Sequence, residues 1–261
     1  MNKCTIGFIG YGNMAKAIAR SFADKDFIAS VSAYDVCGMP SDGNVAMAAS
    51  AGELIENSDY IFLSVKPQSA AAALAELNFA GKKIVSIMAG TSLAKLKELC
   101  RGGEKIVRVM PNLCARVGKS VNAYCCEGLT ATEREEAEKL LNSFGLAVAL
   151  DESFFDAVTG LTGSSPAYTF RYAKALTECG VKHGLTFEQS RDMTLFCVAA
   201  CMDVLSSSAS LEKMQTTINN VCSKGGTTIE GIYKLDAGNF DELVASAVDA
   251  AIARSAELGK K

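Results

Sequence analysis

The sequence has no tryptophan, one histidine and four prolines among its 261 residues. The only histidine, His183, lies beside Gly184, which predicts that it belongs to the last turn of a helix. With a single histidine, a zinc site would lack further imidazole ligands. A net charge of −3 and the absence of a dense Lys/Arg run argue against nucleic-acid or anionic-membrane binding. No apolar run reaches the ~18 residues that a membrane-spanning helix needs. We therefore expect a soluble globular protein with neither nucleic acid nor a membrane as partner.

Ten cysteines are present, but their spacing predicts neither disulfides nor a metal site. The chain has no C-x-x-C pattern, Cys125 and Cys126 are adjacent, and the others are scattered. Cys197 and Cys201 would share a helix face, but they lack further ligands. We expect reduced, mostly buried core residues. A strand predicted to begin by Thr5 leaves no room for a leader peptide, so we also expect a cytoplasmic location.

Short apolar runs alternate with helix-like stretches over residues 1–150, which indicates an α/β fold with a doubly wound parallel sheet. Strands are predicted at 5–9, 31–34, 59–65, 84–88, 106–110, 120–125 and 147–150, and helices at 14–24, 70–77, 93–100 and 132–143. The pattern becomes helical over residues 151–261, with helices predicted at 166–181, 186–206, 229–235 and 240–258. Ser164, Ser165 and Pro166 predict an N-cap followed by proline at the first helical position. We therefore predict two domains, with their boundary at residue 150.

A glycine-rich turn follows the first predicted strand and opens the first predicted helix. It consists of Gly10, Tyr11, Gly12, Asn13, Met14 and Ala15, which match the pattern G-x-G-x-x-A. Gly10 permits a tight turn, Gly12 lets the backbone approach a pyrophosphate, and Ala15 allows close packing of helix and strand. The turn therefore predicts dinucleotide binding, against the alternative of a plain strand–helix connection.

Asp35 ends the second predicted strand, about 20 residues beyond the glycines, where a carboxylate accepts hydrogen bonds from an adenosine ribose. It would repel a 2′-phosphate, and no nearby Arg or Lys compensates. The sequence therefore favours NADH, although NADPH stays open as the cofactor.

Two further strand ends are expected to border the same crevice, because ligands bind beyond the carboxyl ends of parallel strands. They consist of Val65, Lys66 and Pro67, and of Met88, Ala89 and Gly90. The small residues Ala89 and Gly90 leave room for a flat nicotinamide. Lys66 either contacts a ribose or phosphate or forms a surface ion pair.

A second glycine-rich segment, Ser223–Thr228, lies just before a helix-like run. Gly225 and Gly226 would let the backbone approach a ligand, and the N–H groups of a helix start favour a negative charge. Because the first turn is assigned to the cofactor, we expect this segment to bind a substrate. A carbonyl substrate usually needs a His or Lys proton donor, and His183 is interpreted as structural. An imine fits better, since a protonated C=N already carries the charge that makes its carbon accept a hydride.

At these motifs the sequence resembles the pyrroline-5-carboxylate reductase family, over essentially the whole chain. The resemblance is carried by GFIGYGNMA at 7–15, Val65-Lys66-Pro67, RVMPN at 108–112, AVTGLTGSSPAY at 157–168 and Gly225-Gly226-Thr227-Thr228. It implies a Rossmann domain over 1–150 and, over 151–261, a helical dimerisation and substrate domain that forms an interlocked homodimer and often a ring of dimers. It further implies proline biosynthesis, by reduction of the cyclic imino acid L-1-pyrroline-5-carboxylate to L-proline with NADH or NADPH. The active site would form between the cofactor domain of one subunit and the helical domain of its partner.

The resemblance also implies roles for individual residues. Substrate binding falls to Ser223, Gly225, Gly226, Thr227 and Thr228. Among them, Thr228 is the candidate catalytic residue, through a hydrogen bond to the ring nitrogen. Asn220 matches a position near the nicotinamide ribose. The alternative for the two threonines is ordinary helix capping.

The sequence departs from the family at three places. Lys224 replaces a proline, Ser165 replaces a glycine, and Leu113-Cys114 replaces Thr-Pro. An imine reductase for another cyclic imino acid and a non-catalytic nucleotide-binding protein therefore remain alternatives. A β-hydroxyacid dehydrogenase is disfavoured, because Thr169 lies where that family has its lysine.

Overall fold

The computed structural model describes residues 3–38 and 43–259. These residues divide into two compact units. The first runs to Ser164 and also includes the segment from Ala250 to Gly259, and the second comprises Ser165–Asp249. The functional boundary at residue 150 is a different division of the chain and stays a prediction.

The first unit contains one sheet, with eight strands among the described residues in the order β3-β2-β1-β4-β5-β6-β7-β8. The strands are β1 (Cys4–Ile9), β2 (Ile28–Tyr34), β3 (Val45–Met47), β4 (Tyr60–Leu63), β5 (Lys83–Ser86), β6 (Lys105–Met110), β7 (Ser120–Glu127) and β8 (Gly145–Ala149). Neighbours pair in parallel except β6 and β7, which are antiparallel. The predicted doubly wound sheet is therefore confirmed, and its last two strands run in reverse.

The reversal of β7 follows from the length of its connection. Only residues 111–119 join β6 to β7, including a 3₁₀ turn at Leu113–Val117. A parallel crossover needs about a dozen residues or more, so this short segment can only return the chain antiparallel. The predicted parallel pairing therefore does not extend to this pair of strands.

Helices cover both faces of the sheet. In the first unit they are α1 (Asn13–Arg20), α2 (Ala51–Glu56), α3 (Pro67–Leu74), α4 (Leu93–Leu99), α5 (Ala131–Asn142) and α6 (Phe155–Val158). Because successive strand residues point to opposite faces, Phe62 belongs to one buried cluster while Ile61 and Leu63 belong to the other. Phe62 stacks on Phe8, with ring centroids 4.8 Å apart. The sequence analysis missed α2 and β3, which are short.

The second unit is helical. It contains α7 (Ser165–Lys182), α8 (Phe187–Leu205), α9 (Leu211–Val221), α10 (Thr227–Ala237) and the first half of α11 (Phe240–Gly259). The sequence analysis missed α9. None of the helices in the described ranges combines the length and apolar character that crossing a bilayer requires.

Large apolar side chains of this helical unit are exposed in the single chain. The exposed fraction is 81% for Phe196, 64% for Met193 and 66% for Leu243. A groove of about 540 Å³ on α7 and α8 is lined by apolar residues that include Phe170 and Phe187. An apolar surface of this extent is typical of a protein interface.

Two local expectations were wrong. Neither serine is an N-cap: Ser165 is the first residue of α7, and Ser164 has helical φ and ψ of −93° and −27°, with its N–H donating to the carbonyl of Thr159 at 2.9 Å. This bond closes a π-helical turn, Thr159–Gly163, so the helical backbone runs from α6 into α7. Pro166 is accordingly the second residue of α7.

The cysteines are not mostly buried, contrary to expectation. All ten lie in the described ranges and none forms a disulfide. Only Cys4 and Cys100 are buried, and burial raises the pKa of the Cys100 thiol to about 12. The expectation of a mostly buried set failed because several cysteines lie on helices of the second unit, whose faces are exposed in the single chain.

Candidate active site

The first glycine turn follows the end of β1, which lies between β2 and β4 in the sheet. Gly10 has a φ of +86°, and its N–H donates to the carbonyl of Tyr34 at 2.8 Å. A Cβ at this position would lie 2.9 Å from both Ser64 C and Val65 N. Two features therefore require glycine at position 10: the positive φ of the backbone and the close approach of the chain after β4.

Gly12 begins α1 as its N-cap, with no side-chain cap. A Cβ on Gly12 would meet nothing within 4 Å, so the space in front of the helix start is open. Asn13 is exposed, Met14 is half-buried and Ala15 is packed in the core. The open N–H groups at the start of α1 fit the pyrophosphate of a dinucleotide.

Asp35 lies directly after β2 and is bonded to the glycine turn itself. Its Oδ2 accepts a hydrogen bond from the Tyr11 N–H at 2.8 Å, and Oδ1 accepts one from the Cys37 N–H at 2.9 Å. Two hydrogen bonds lower the pKa of the Asp35 carboxyl below its ordinary value. The bond from the Tyr11 N–H has the larger effect and that from the Cys37 N–H the next. A carboxylate offers about four acceptor positions, so capacity remains for a ribose hydroxyl.

The ends of β4 and β5 lie at the same carboxyl edge of the sheet. Ile9 pairs with Leu63, and Leu63 pairs with Ser86, so the residues that follow these strands are neighbours. Lys66 is the N-cap of α3, with Pro67 at the first helical position. The Lys66 side chain is exposed and forms no ion pair within the described ranges, so its contact with a cofactor stays a prediction.

The segment after β5 combines a buried and an exposed residue with a glycine. Met88 is buried, and its N–H donates to Ser86 Oγ at 3.3 Å. Ala89 is exposed. Gly90 has a φ of +69°, and a Cβ there would lie 3.6 Å from the backbone nitrogen of Gly259 in α11. The structure thus brings the glycine turn, Asp35 and the two strand ends together in the first unit.

The second glycine segment lies in the helical unit. Gly225 has a φ of +73°, and the Gly226 N–H donates to the carbonyl of Ser223 at 3.0 Å. Gly226 is the N-cap of α10 and no side chain caps this helix. A Cβ at Gly226 would collide with Ser223 Oγ. The segment therefore presents an uncapped helix start that suits an anion.

Thr227 and Thr228 are exposed in the first turn of α10. Gly226 is the N-cap, and no side chain caps the helix. Neither threonine therefore acts as the N-cap of α10. Asn220 lies exposed in the last turn of α9, and Lys224 is exposed beside the glycines. The residues that the resemblance assigned to the substrate thus lie at the start of α10, and their role stays a prediction.

Sequence reasoning missed a charged pair formed by Arg108 and Glu152. Arg108 of β6 lies between two buried valines, and its Nη1 is 2.6 Å from Glu152 Oε1. The same carboxylate oxygen accepts the Leu93 N–H at 2.7 Å. An arginine in an apolar strand was the available signal, because a buried guanidinium requires a partner. The sequence did not show which acid supplies that partner.

Within the same described ranges, no three or more His, Cys, Asp or Glu side chains are grouped so as to hold a metal ion. The structure therefore offers two separate candidate sites, the start of α1 in the first unit and the start of α10 in the second.

Comparison with known proteins gives consistent matches along the chain. Residues 152–258 match the family model described as pyrroline-5-carboxylate reductase dimerisation, and residues 5–90 match that described as NADP oxidoreductase coenzyme F420-dependent. The pyrroline-5-carboxylate reductase of Aquifex aeolicus (strain VF5) is 33% identical, over 98% of this chain and 96% of that protein. That of Pseudomonas aeruginosa is 33% identical, over 100% of this chain and 99% of that protein. The crystal structure of Plasmodium falciparum pyrroline carboxylate reductase with NADP bound superposes with a TM-score of 0.90, at 29% identity and 99% coverage of both chains.

Replacing Gly12 by alanine tests the assignment of the first turn. Because a Cβ at Gly12 meets nothing within 4 Å, Gly12→Ala should fold, with only a small loss of stability from the poorer N-cap. The methyl group would then occupy space needed by the pyrophosphate and weaken NADH and NADPH binding, measured by calorimetry, about tenfold or more. Gly52→Ala in α2, where the nearest atom to a Cβ is 3.8 Å away, is the matched control. Unchanged cofactor affinity in Gly12→Ala would refute the assignment.

Proposed function

We propose a residue-level mechanism for this chain, which belongs to the pyrroline-5-carboxylate reductase family. The protein is an NAD(P)H-dependent oxidoreductase that reduces L-1-pyrroline-5-carboxylate to L-proline, a step of proline biosynthesis. The observation that carries this function is the 33% identity to named reductases over 98% of the chain. The two glycine-rich helix starts supply the binding chemistry that this reaction needs.

The cofactor is NADH or NADPH. We propose that the start of α1 receives the pyrophosphate, because Gly10 shapes the turn and Gly12 leaves its front open. Asp35 would accept hydrogen bonds from the adenosine ribose and favour NADH. Lys66 would contact ribose or phosphate, and the segment Met88–Gly90 would lie against the nicotinamide. When bound, the dihydronicotinamide supplies a hydride to the C=N carbon.

The substrate carries a carboxylate and a ring nitrogen, and the start of α10 offers a group for each. The N–H groups beside Gly226 would bind the carboxylate, with the Ser223 and Thr227 hydroxyls nearby. The geometry that supports this is the uncapped helix start after Gly225, whose positive φ turns the backbone into the helix. Asn220, in the preceding helix, would contact the nicotinamide ribose.

Thr228 is the proposed catalytic residue. Its hydroxyl oxygen would accept a hydrogen bond from the N–H of the protonated imine and so hold the C=N carbon in place. The reduction adds a hydride to that carbon, and the nitrogen keeps its proton as the amine of L-proline. No side chain has to donate a proton, which agrees with His183 being exposed beyond the end of α7. Catalysis would come from positioning and electrostatics.

The C-terminal helices form an oligomerisation domain. The exposed Phe196, Met193 and Leu243 supply the apolar surface that oligomerisation would cover. We propose a homodimer that can assemble further into a ring of dimers. We also propose a cytoplasmic location, where cysteines without disulfide partners are usual.

Replacing Asp35 by serine tests the cofactor preference. Removing the carboxylate removes its repulsion of a 2′-phosphate, so the kcat/KM ratio of NADPH to NADH should rise about tenfold, or about 1.4 kcal/mol. Asp24→Ser, at an exposed aspartate beyond the end of α1, is the control. A ratio that stays at the wild-type value in Asp35→Ser would contradict the ribose assignment.

Turnover assays on wild type and Thr228→Ala test the proposed mechanism. Wild type should oxidise NADH or NADPH when L-1-pyrroline-5-carboxylate is added. Thr228→Ala should lower kcat about 10-fold to 100-fold with unchanged cofactor affinity, because it removes a hydrogen bond to the reacting group.

The variant Thr228→Ser keeps the hydroxyl and should restore most of the turnover. If Thr228→Ala weakens cofactor binding as much as turnover, its role is structural. Wild type that turns over only a six-membered cyclic imine would favour the alternative substrate, and no turnover with either cofactor would favour a non-catalytic nucleotide-binding protein.

A further inference from the structure

The segment between β5 and α4, residues 87–92, contains Met88, Ala89 and Gly90 and is called the β5–α4 loop below. Its far end is bonded to a residue from a distant part of the chain. Glu152 Oε1 accepts the N–H of Leu93, the residue that follows the loop, at 2.7 Å. The same oxygen lies 2.6 Å from Arg108 Nη1.

We propose that Glu152 and Arg108 are positioning residues, which fix the β5–α4 loop in the conformation that receives the nicotinamide. This inference rests on the proposed function for the location of the nicotinamide. Neither residue has to touch the cofactor, since both act through the loop.

The surroundings of Arg108 make the pair a rigid anchor. The Arg108 side chain is only 11% exposed, and its guanidinium carbon lies 4.3 Å from the centre of the buried Phe155 ring. A buried cation needs a counter-charge, and Glu152 is the only carboxylate within ion-pair distance of Arg108 in the described ranges. Glu152 is thereby held at one place, and so is the Leu93 N–H that it accepts.

The end of α11 lies beside the middle of the loop. Gly90 faces the backbone of Leu258 and Gly259, which lie 3.6 to 3.8 Å from an ideal Cβ position on Gly90. The end of α11 is in turn attached near Glu152, because Ser255 Oγ donates to Asp156 Oδ1 at 2.6 Å. The loop is therefore hydrogen-bonded at its end to Glu152, and the end of α11 lies beside its middle.

Fixing the loop matters because hydride transfer depends on placement. A displacement of about 1 Å in a reacting group can cost about 100-fold in rate. Replacing Glu152 by glutamine keeps an acceptor for the Leu93 N–H but leaves the Arg108 cation without its counter-charge. The loop should then lose its fixed conformation while the glycine turn at Gly10 and Gly12 stays intact.

The test compares ligands with and without a nicotinamide. NADH is compared with ADP-ribose, and NADPH with 2′-phospho-ADP-ribose, by calorimetry on wild type and E152Q. We expect E152Q to bind NADH and NADPH about tenfold more weakly, and to bind both nicotinamide-free ligands as wild type does. Turnover of L-1-pyrroline-5-carboxylate should fall in kcat as well. The control is E98Q on α4, which removes the exposed Lys95–Glu98 pair of 2.8 Å and should change none of these values.

Equal weakening of all four ligands, or of none, would overturn the inference. Binding of ADP-ribose also reports whether E152Q is folded. Should that variant not fold, Glu152→Asp keeps the charge on a shorter side chain and must show the same selective loss, and an unselective loss would refute the proposal. Wild type without turnover would contradict the proposed function, whereas the binding comparison would still decide the role of Glu152.

Discussion

The close approach of Gly10 to the backbone after β4 is the constraint on which the first glycine turn and its neighbours depend. The chain leaves β1 with a φ of +86° at Gly10 and passes so near Ser64 and Val65 that no side chain fits. This geometry aims the start of α1 at the carboxyl edge of the sheet. It also brings the Tyr11 N–H to Asp35 at 2.8 Å, so the candidate residues for ribose binding and for pyrophosphate binding are linked by a hydrogen bond.

The start of α10 has glycines in the same two roles as the start of α1, but different residues follow them. Gly225 supplies a positive φ and Gly226 an N-cap without a side chain, as Gly10 and Gly12 do at α1. What differs is the hydroxyls that follow, since Thr227 and Thr228 have no counterpart after Gly12. One glycine turn thus suits a pyrophosphate, and the other suits a small carboxylate beside a polar nitrogen.

Most of the fold could be predicted from the sequence because its strands are short, apolar and separated by helical patterns. The reversal at β7 could not, since it depends on connection length rather than on the apolar pattern. The π-helical turn before Pro166 was also missed, because Ser164-Ser165-Pro166 has the composition of an ordinary helix start. Of the candidate site, the glycine turns were predictable from local spacing. Glu152 was not, because it lies 44 residues from Arg108 and 59 from Leu93 along the chain.

The central claim is that this chain transfers a hydride to the C=N carbon of a five-membered cyclic imino acid. The most direct measurement supplies L-1-pyrroline-5-carboxylate with NADH or NADPH deuterated at the transferred position and analyses the product by mass spectrometry and NMR. The account predicts L-proline with one deuterium per cofactor oxidised, on the ring carbon that had been double-bonded to nitrogen. Cofactor oxidation without deuterated proline, or no oxidation with either cofactor, would contradict it.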